Sequence, residues 1–285
     1  MDNALRRKRF SLPDDWMVLA WVSAMHVLAL TGFFTFSWAA LGVCLFLCWL
    51  TGHIGICLGY HRYFTHRSFE TPRPVQYLLA VLGTLAGEAG PISWVAAHRY
   101  HHIHSDTEKD PHSPLKGFFW AHMGWLFGRE EFLVKFDEYK KHAPDMARDR
   151  FLVWLDTYHV LPVLLLAAAL YAWGGWAFVV WGMFVRSVIV YHITWLVNSA
   201  SHVWGYQTFK TGDRSRNNWW VALLAFGEGW HNNHHAYQRS ARHGFTRWEL
   251  DLTYVTIRVL AFLGLARHVH VPALNEQMGA TKTLC

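Results

Sequence analysis

Three imidazoles stand at His98, His101 and His102, and the same His-x-x-His-His order returns at His231, His234 and His235. On a helix, positions i, i+3 and i+4 share one face, so each box aims three rings at a point just off the helix surface. That is metal-ligand geometry. A further pair, His61 and His66, follows directly on a long apolar segment. These boxed histidines exceed the four ligands that one tetrahedral ion takes, and with His202 they suffice for two ions with positions left open. Imidazole binds zinc, copper, iron and nickel alike, so ligand type does not choose the metal.

Asp106, Glu108 and Asp110 follow the first box closely. Asp106 and Asp110 are placed to accept the outer N–H of a ligating ring, which fixes its tautomer and orientation, whereas Glu108 reads as solvated charge. His26, His53, His104, His112, His122, His142, His159, His243, His268 and His270 lie outside the boxes and read as surface or packing residues. Cys44, Cys48 and Cys57 lie in apolar sequence, where small hydrophobes pack, and no Cys-x-x-Cys supports a zinc knuckle.

The scaffold for these residues is a membrane one. Of 285 residues, 53% are hydrophobic. The net charge of +6 comes from basic residues outside the apolar stretches, which suits anionic headgroups; no basic stripe at groove spacing points to nucleic acid. The 17 tryptophans fit interfacial belts. Four spans are expected at about 16–36, 38–60, 152–173 and 176–197, each near the ~20 apolar residues a bilayer requires, paired into two hairpins. The first reads as a span rather than a signal peptide, because its apolar run is long and lacks a small-residue cleavage site.

Arg6, Arg7, Lys8 and Arg9 put the N-terminus in the cytoplasm by the positive-inside rule, so the second span returns there and delivers His61 and His66. Segment 75–94 holds Gly83, Gly87, Glu88, Gly90 and Pro91. A full crossing there would strand His98 to His102 across the membrane from His61 and His66, so it is expected to be interfacial or re-entrant. Glu88 has two readings, a carboxylate bonded at a helix end or a group near the site. Residues 61–150 and 198–270 are expected to form a cytoplasmic helical cap, with both termini on the same side. In the fourth span Arg186 and His192 should face the bundle or a cavity. Trp248 to Ala266 reads as a helix too charged to span. The expected fold is thus an all-α integral membrane protein, with 1–285 as a single domain.

Several runs carry a resemblance: Gly59 through Tyr60, His61, Arg62, Tyr63, Phe64 and Thr65 to His66; His98 to His102 leading to Ser105, Asp106 and Thr107, then Asp110, Pro111 and His112; Gly117 to Trp120; Asn198 to His202; and Gly227 to His235. With these the chain resembles the membrane fatty-acyl desaturases, in particular the delta-9 branch shared by stearoyl-CoA and acyl-lipid desaturases. The resemblance implies four membrane helices under a cytoplasmic cap that holds two irons. One iron would take His61, His66, His98, His102 and His234; the other would take His101, His202, His231 and His235, with Asn198 joined through water. It implies that Trp94 and Trp195 contact the acyl chain, that dioxygen is the co-substrate, and that a cis double bond is the product.

One departure bears on the substrate. Acyl-CoA members carry an Arg-Asp pair just before the first His-x-x-His-His, and this chain has Ala96 and Ala97 there, which favours an acyl-lipid or carrier-bound substrate over acyl-CoA. No Gly-x-Gly-x-x-Gly after a strand and no haem module is found, so electrons must come from a partner, ferredoxin or a cytochrome b5 in this family. Two alternatives stand beside this reading. A hydroxylase of the same histidine-box superfamily would use the same ligands. A metal transporter would instead need ligands near mid-bilayer, whereas these boxes fall beyond the span ends.

Overall fold

The computed structural model describes residues 16–127 and 141–273; Arg6 to Arg9 and both termini lie outside the described residues. Helix α1 (Trp16–Ala29) tightens into a 3-10 turn over Leu30–Phe34, and Ser37 then caps α2 (Trp38–Leu47) by accepting the Ala40 N–H at 3.1 Å. From Cys48 to Thr65 the helix continues as a π-helix with i→i+5 bonds, so the helical run ends five residues past the expected 60. An α-turn sets residues five apart on divergent faces, roughly 140° round the axis. The wider winding swings His61 toward His66, and their ring centroids lie 4.7 Å apart.

Glycine explains how α3 (Arg73–Thr84) lies against this helix. A Cβ at Gly55 would stand 2.5 Å from the Leu82 carbonyl, and one at Gly83 would strike the Tyr60 ring, so the backbones touch where side chains are missing. With 12 residues α3 is about 18 Å long, short of the ~30 Å hydrocarbon core. The chain turns at Leu85–Gly90, where Gly87 (φ +80) and Ala89 (φ +110) both take left-handed backbone. Fully buried Arg186 holds that turn by donating to the carbonyls of Leu85 at 2.8 Å and Ala86 at 3.1 Å.

Helix α4 (Pro91–His104) carries the first box. Its N-terminus is capped from afar: the Asp156 carboxylate accepts the N–H groups of Ile92 (2.9 Å) and Ser93 (2.8 Å), where a helix end favours an anion. This corrects the expected third span, because Leu152 to Thr157 belong to a separate helix α6 (Arg150–Thr157) that presents Asp156, after the short α5 (Phe118–His122). The apolar run starts at Val160, with α7 (Val160–Val179), a π-turn over Val180–Val185 and α8 (Arg186–Val203). Gly174 (φ −142) and Gly175 (φ +66) break it in the middle.

Among the described residues three helical runs are thus long and apolar enough to cross a membrane: Trp16–Phe34, Trp38–Thr65 and Val160–Val203. Beyond them come α9 (Trp219–Leu224), α10 (His231–Ala236) and α11 (Leu252–Phe262). The last is shorter than the expected 248–266, because Asp251 caps it by accepting the Tyr254 N–H at 2.9 Å while Glu249 turns inward to Asn233 at 3.1 Å. Among the described residues no strand forms, only isolated bridges such as Glu70 with Arg267.

Candidate metal centre

Four elements bring the nine histidines together. The end of the α2 run supplies His61 and His66, α4 supplies His98, His101 and His102, α8 supplies His202, and α10 supplies His231, His234 and His235. They fall into two groups whose ligand atoms lie within 4.8 Å of one another: His61, His66, His98, His102 and His234 in one, and His101, His202, His231 and His235 in the other. The groups adjoin, with the His102 and His235 rings 4.7 Å apart.

In the first group the Nε2 atoms form a chain, His61 to His234 at 3.2 Å, His234 to His102 at 3.1 Å and His102 to His98 at 3.1 Å. In the second, His231 Nε2 lies 3.0 Å from His202 Nε2 and 3.1 Å from His235 Nε2. The Nε2 atoms of His66 and His101 are buried without a hydrogen-bond partner. A neutral ring whose Nδ1 carries the proton presents only a lone pair at Nε2. Lone pairs crowded at these distances fit a cation between them, so the residues present suit two metal ions.

Carboxylates fix that tautomer. Asp110 accepts from His101 Nδ1 at 3.0 Å, Asp106 from His202 Nδ1 at 3.0 Å and Asp213 from His235 Nδ1 at 2.7 Å, while Glu228 lies 2.8 Å from His61 Nδ1. Burial pushes the imidazoles of His66, His98, His102, His231 and His234 well below the ordinary histidine range, so these rings are neutral at pH 7. Burial alone would raise Glu228, but the Arg62 guanidinium 2.9 Å away holds it well below the usual carboxylate range. Arg62 is fully buried and also meets Asp251 at 2.9 Å.

Asp213, Glu228 and His243 are absent from the site read from sequence. His243 reads there as packing, yet it is buried 3.0 Å from Glu228 and 4.4 Å, ring to ring, from His234. His112 likewise stands against His101 at 4.3 Å. A charged residue beside His61 in an apolar run was the available signal, since a buried Arg62 demands buried partners.

A mostly apolar cavity of about 600 Å³ opens beside the first group, within the range of small-molecule sites. His61, His98 and Asn198 line it, as do exposed Met17, Val18 and Val160. Trp94 stacks on His98 with centroids 5.1 Å apart, and Trp195 is buried in the wall. Glu88 meets both of its readings: it is a hydrogen-bonded carboxylate just ahead of α4, accepting from Trp94 Nε1 at 3.1 Å and Thr194 Oγ1 at 2.8 Å, and it lines the cavity.

The fatty acid desaturase family model matches residues 36–258. The chain is 51% identical to an sn-1 stearoyl-lipid 9-desaturase of Anabaena variabilis over 90% of its length and 93% of the relative's. It is 49% identical to an sn-2 palmitoyl-lipid 9-desaturase of Nostoc sp. (strain 36), over 89% and 90%, and 44% identical to an acyl-CoA C20 Delta5-desaturase of Anemone leveillei, over 93% and 85%. A match across most of the chain, with relatives this similar over nearly their whole lengths, establishes that the protein belongs to the fatty acid desaturase family and is a membrane oxidoreductase acting on fatty-acyl chains.

Proposed function

We propose that the protein is an acyl-lipid 9-desaturase, which introduces a cis double bond into a saturated chain esterified to a lipid. The observation that carries this reading is the convergence of nine imidazoles, in two adjoining groups, beside an apolar cavity that His61 and His98 line. His61, His66, His98, His102 and His234 would hold one iron and His101, His202, His231 and His235 the other, with Asn198 reaching the second through water. Two irons bound there supply the dioxygen chemistry that removes hydrogens from adjacent methylenes.

The chain's own residues do the rest. Asp106, Asp110 and Asp213 keep the proton on Nδ1 of His202, His101 and His235, so that Nε2 stays free to bind. The apolar cavity excludes water and holds the acyl chain against Trp94 and Trp195. The two lipid 9-desaturases named above, together with Ala96 and Ala97 before the first box, favour a lipid over a CoA thioester. Every relative named above is a desaturase, so the hydroxylase is not favoured.

Four spans in two hairpins under a cytoplasmic cap complete the reading. It is supported by the break at Gly174 and Gly175, by Leu170 lying against Gly182 where a straight helix would part them by ~18 Å, and by the basic cluster Arg6 to Arg9. Electrons would come from ferredoxin or a cytochrome b5. The test is the acyl profile of a heterologous host, with a ferredoxin system supplied, expressing the chain or its His234→Ala variant. A new 9-monounsaturated chain in intact lipids that needs His234 is expected; a hydroxylated product, or the same product without His234, overturns the reading.

A further inference from the structure

Outside the nine histidines lies a second histidine cluster, drawn from three elements. His26 on α1, His192 on α8 and His122 on α5 form one hydrogen-bonded row: His26 Nε2 to His192 Nε2 at 3.1 Å, His192 Nδ1 to His122 Nε2 at 2.9 Å, and His122 Nδ1 to Ser199 Oγ at 3.0 Å. The row starts at His26 Nδ1, which lies 2.7 Å from the Val22 carbonyl, and ends where Ser199 Oγ lies 2.8 Å from the Trp195 carbonyl.

One carbonyl dictates the order of the row. The Val22 oxygen only accepts, so His26 carries its proton on Nδ1 and accepts at Nε2. His192 must then donate from Nε2 and accept at Nδ1, His122 donates from Nε2 and accepts at Nδ1, and Ser199 Oγ ends the row with a single proton facing two acceptors, His122 Nδ1 and the Trp195 carbonyl. Each neutral ring is left with one tautomer and one plane. Apolar rings would fill this space without the cost of burying polar groups. What imidazoles add is fixed orientation through a connected network.

The three rings enclose Trp195. His26 stacks on the indole with centroids 6.3 Å apart and planes 11° apart, while His192 and His122 meet it edge-on at 5.1 Å and 5.8 Å. Trp195 also lines the acyl cavity. We propose that His26, His192, His122 and Ser199 are positioning residues that hold Trp195 at one angle in the cavity wall, and so fix which methylenes of the acyl chain face the two histidine groups. This inference rests on the desaturase reading for its consequence, though not for its geometry.

The test compares His192→Phe, which cuts the row at its centre while keeping a ring, with Ser199→Ala, which removes its end. Double-bond positions in host lipids are read by mass spectrometry of derivatised products, and protein level and iron content are followed alongside. His192→Phe is expected to raise the share of displaced isomers about tenfold, the scale at which a methylene is misread by an apolar pocket. Ser199→Ala shifts the share the same way by less. A second arm needs no turnover: a phosphatidylcholine carrying a dibrominated stearoyl chain quenches tryptophan in the iron-loaded protein kept without an electron donor, and subtraction of a Trp195→Phe sample isolates Trp195. Its share of the quenching changes in His192→Phe. Wild-type isomer ratios in both variants, whatever the yield, overturn the proposal, as does unchanged Trp195 quenching. A wild-type protein that makes no unsaturated chain removes the functional reading instead, and the quenching arm still decides the positioning.

Discussion

The two histidine groups hold their rings in different ways. In the four-histidine group, three rings are pinned by aspartates that arrive from loops, Asp110 on His101, Asp106 on His202 and Asp213 on His235. In the five-histidine group, among the described residues, only His61 touches a carboxylate, Glu228, and the others pack on neighbouring rings: His66 stands edge-on to His61, His102 and His234 at 4.5 to 4.7 Å. One centre is oriented by charge-assisted hydrogen bonds, the other by close packing. Rings held by packing tolerate loss of a distant charge but not loss of a neighbour, and rings held by aspartates do the reverse.

The sharpest break comes from removing a ring. His234→Ala and His231→Ala are both expected to abolish desaturation, and metal analysis of the purified proteins should find about one of the two proposed irons missing in each. Next in size is Glu228→Ala. It strips one of two carboxylate partners from Arg62 in the buried interior and should destabilise the fold by about 1–3 kcal/mol, read by thermal unfolding, because the Arg62 Nε donor is left unsatisfied while Asp251 still pairs with the guanidinium. Asp213→Asn should cost about 10–100-fold in metal affinity or activity, and under chelator competition the four-histidine iron should leave first. If the five-histidine iron left first instead, the contrast between the groups would be wrong.

The smallest effect lies at one remove from the rings. Arg99 on α4 donates to the Phe64 carbonyl at 2.7 Å and pairs with Asp145 at 2.6 Å, tying the first box to the end of the α2 run. Partial burial would raise Asp145, yet Arg99 and Arg67 hold it down at about 2. A depressed carboxylate stabilises the fold fully above its ordinary pKa, and the contribution fades as pH falls through the folded value. Asp145→Asn should therefore cost about 1 kcal/mol above pH ~4, and the gap from the parent should close toward pH ~2.

What could be read from the sequence was local. The histidine spacing and the long apolar runs carry their own periodicity, so the nine ring positions are legible before any fold is known, as are the apolar runs, read as four spans where the structure has three membrane-length helices. What escaped depends on contacts distant in sequence. Asp213 reaches His235 from 22 residues away, and nothing in a loop of Thr211, Asp213, Arg214 and Ser215 marks which acid turns inward. Asp156 looks like a stray charge in an apolar run, because its partners are backbone N–H groups of α4. The extension of the α2 run to Thr65 escaped because a π-helix has no signature in apolar periodicity.

The brevity of α10 sets the order of the protein's maturation. At six residues it is far too short to persist alone, and it presents three histidines whose partners lie on three other helices. The long apolar helices need only the bilayer, so they can be threaded into it while this last turn is still unmade. Capture of the ions is then the closing event of biogenesis. A cell starved of metal would accumulate an inserted but unfinished protein, and its supply of iron would decide how much of the chain already in the membrane becomes enzyme.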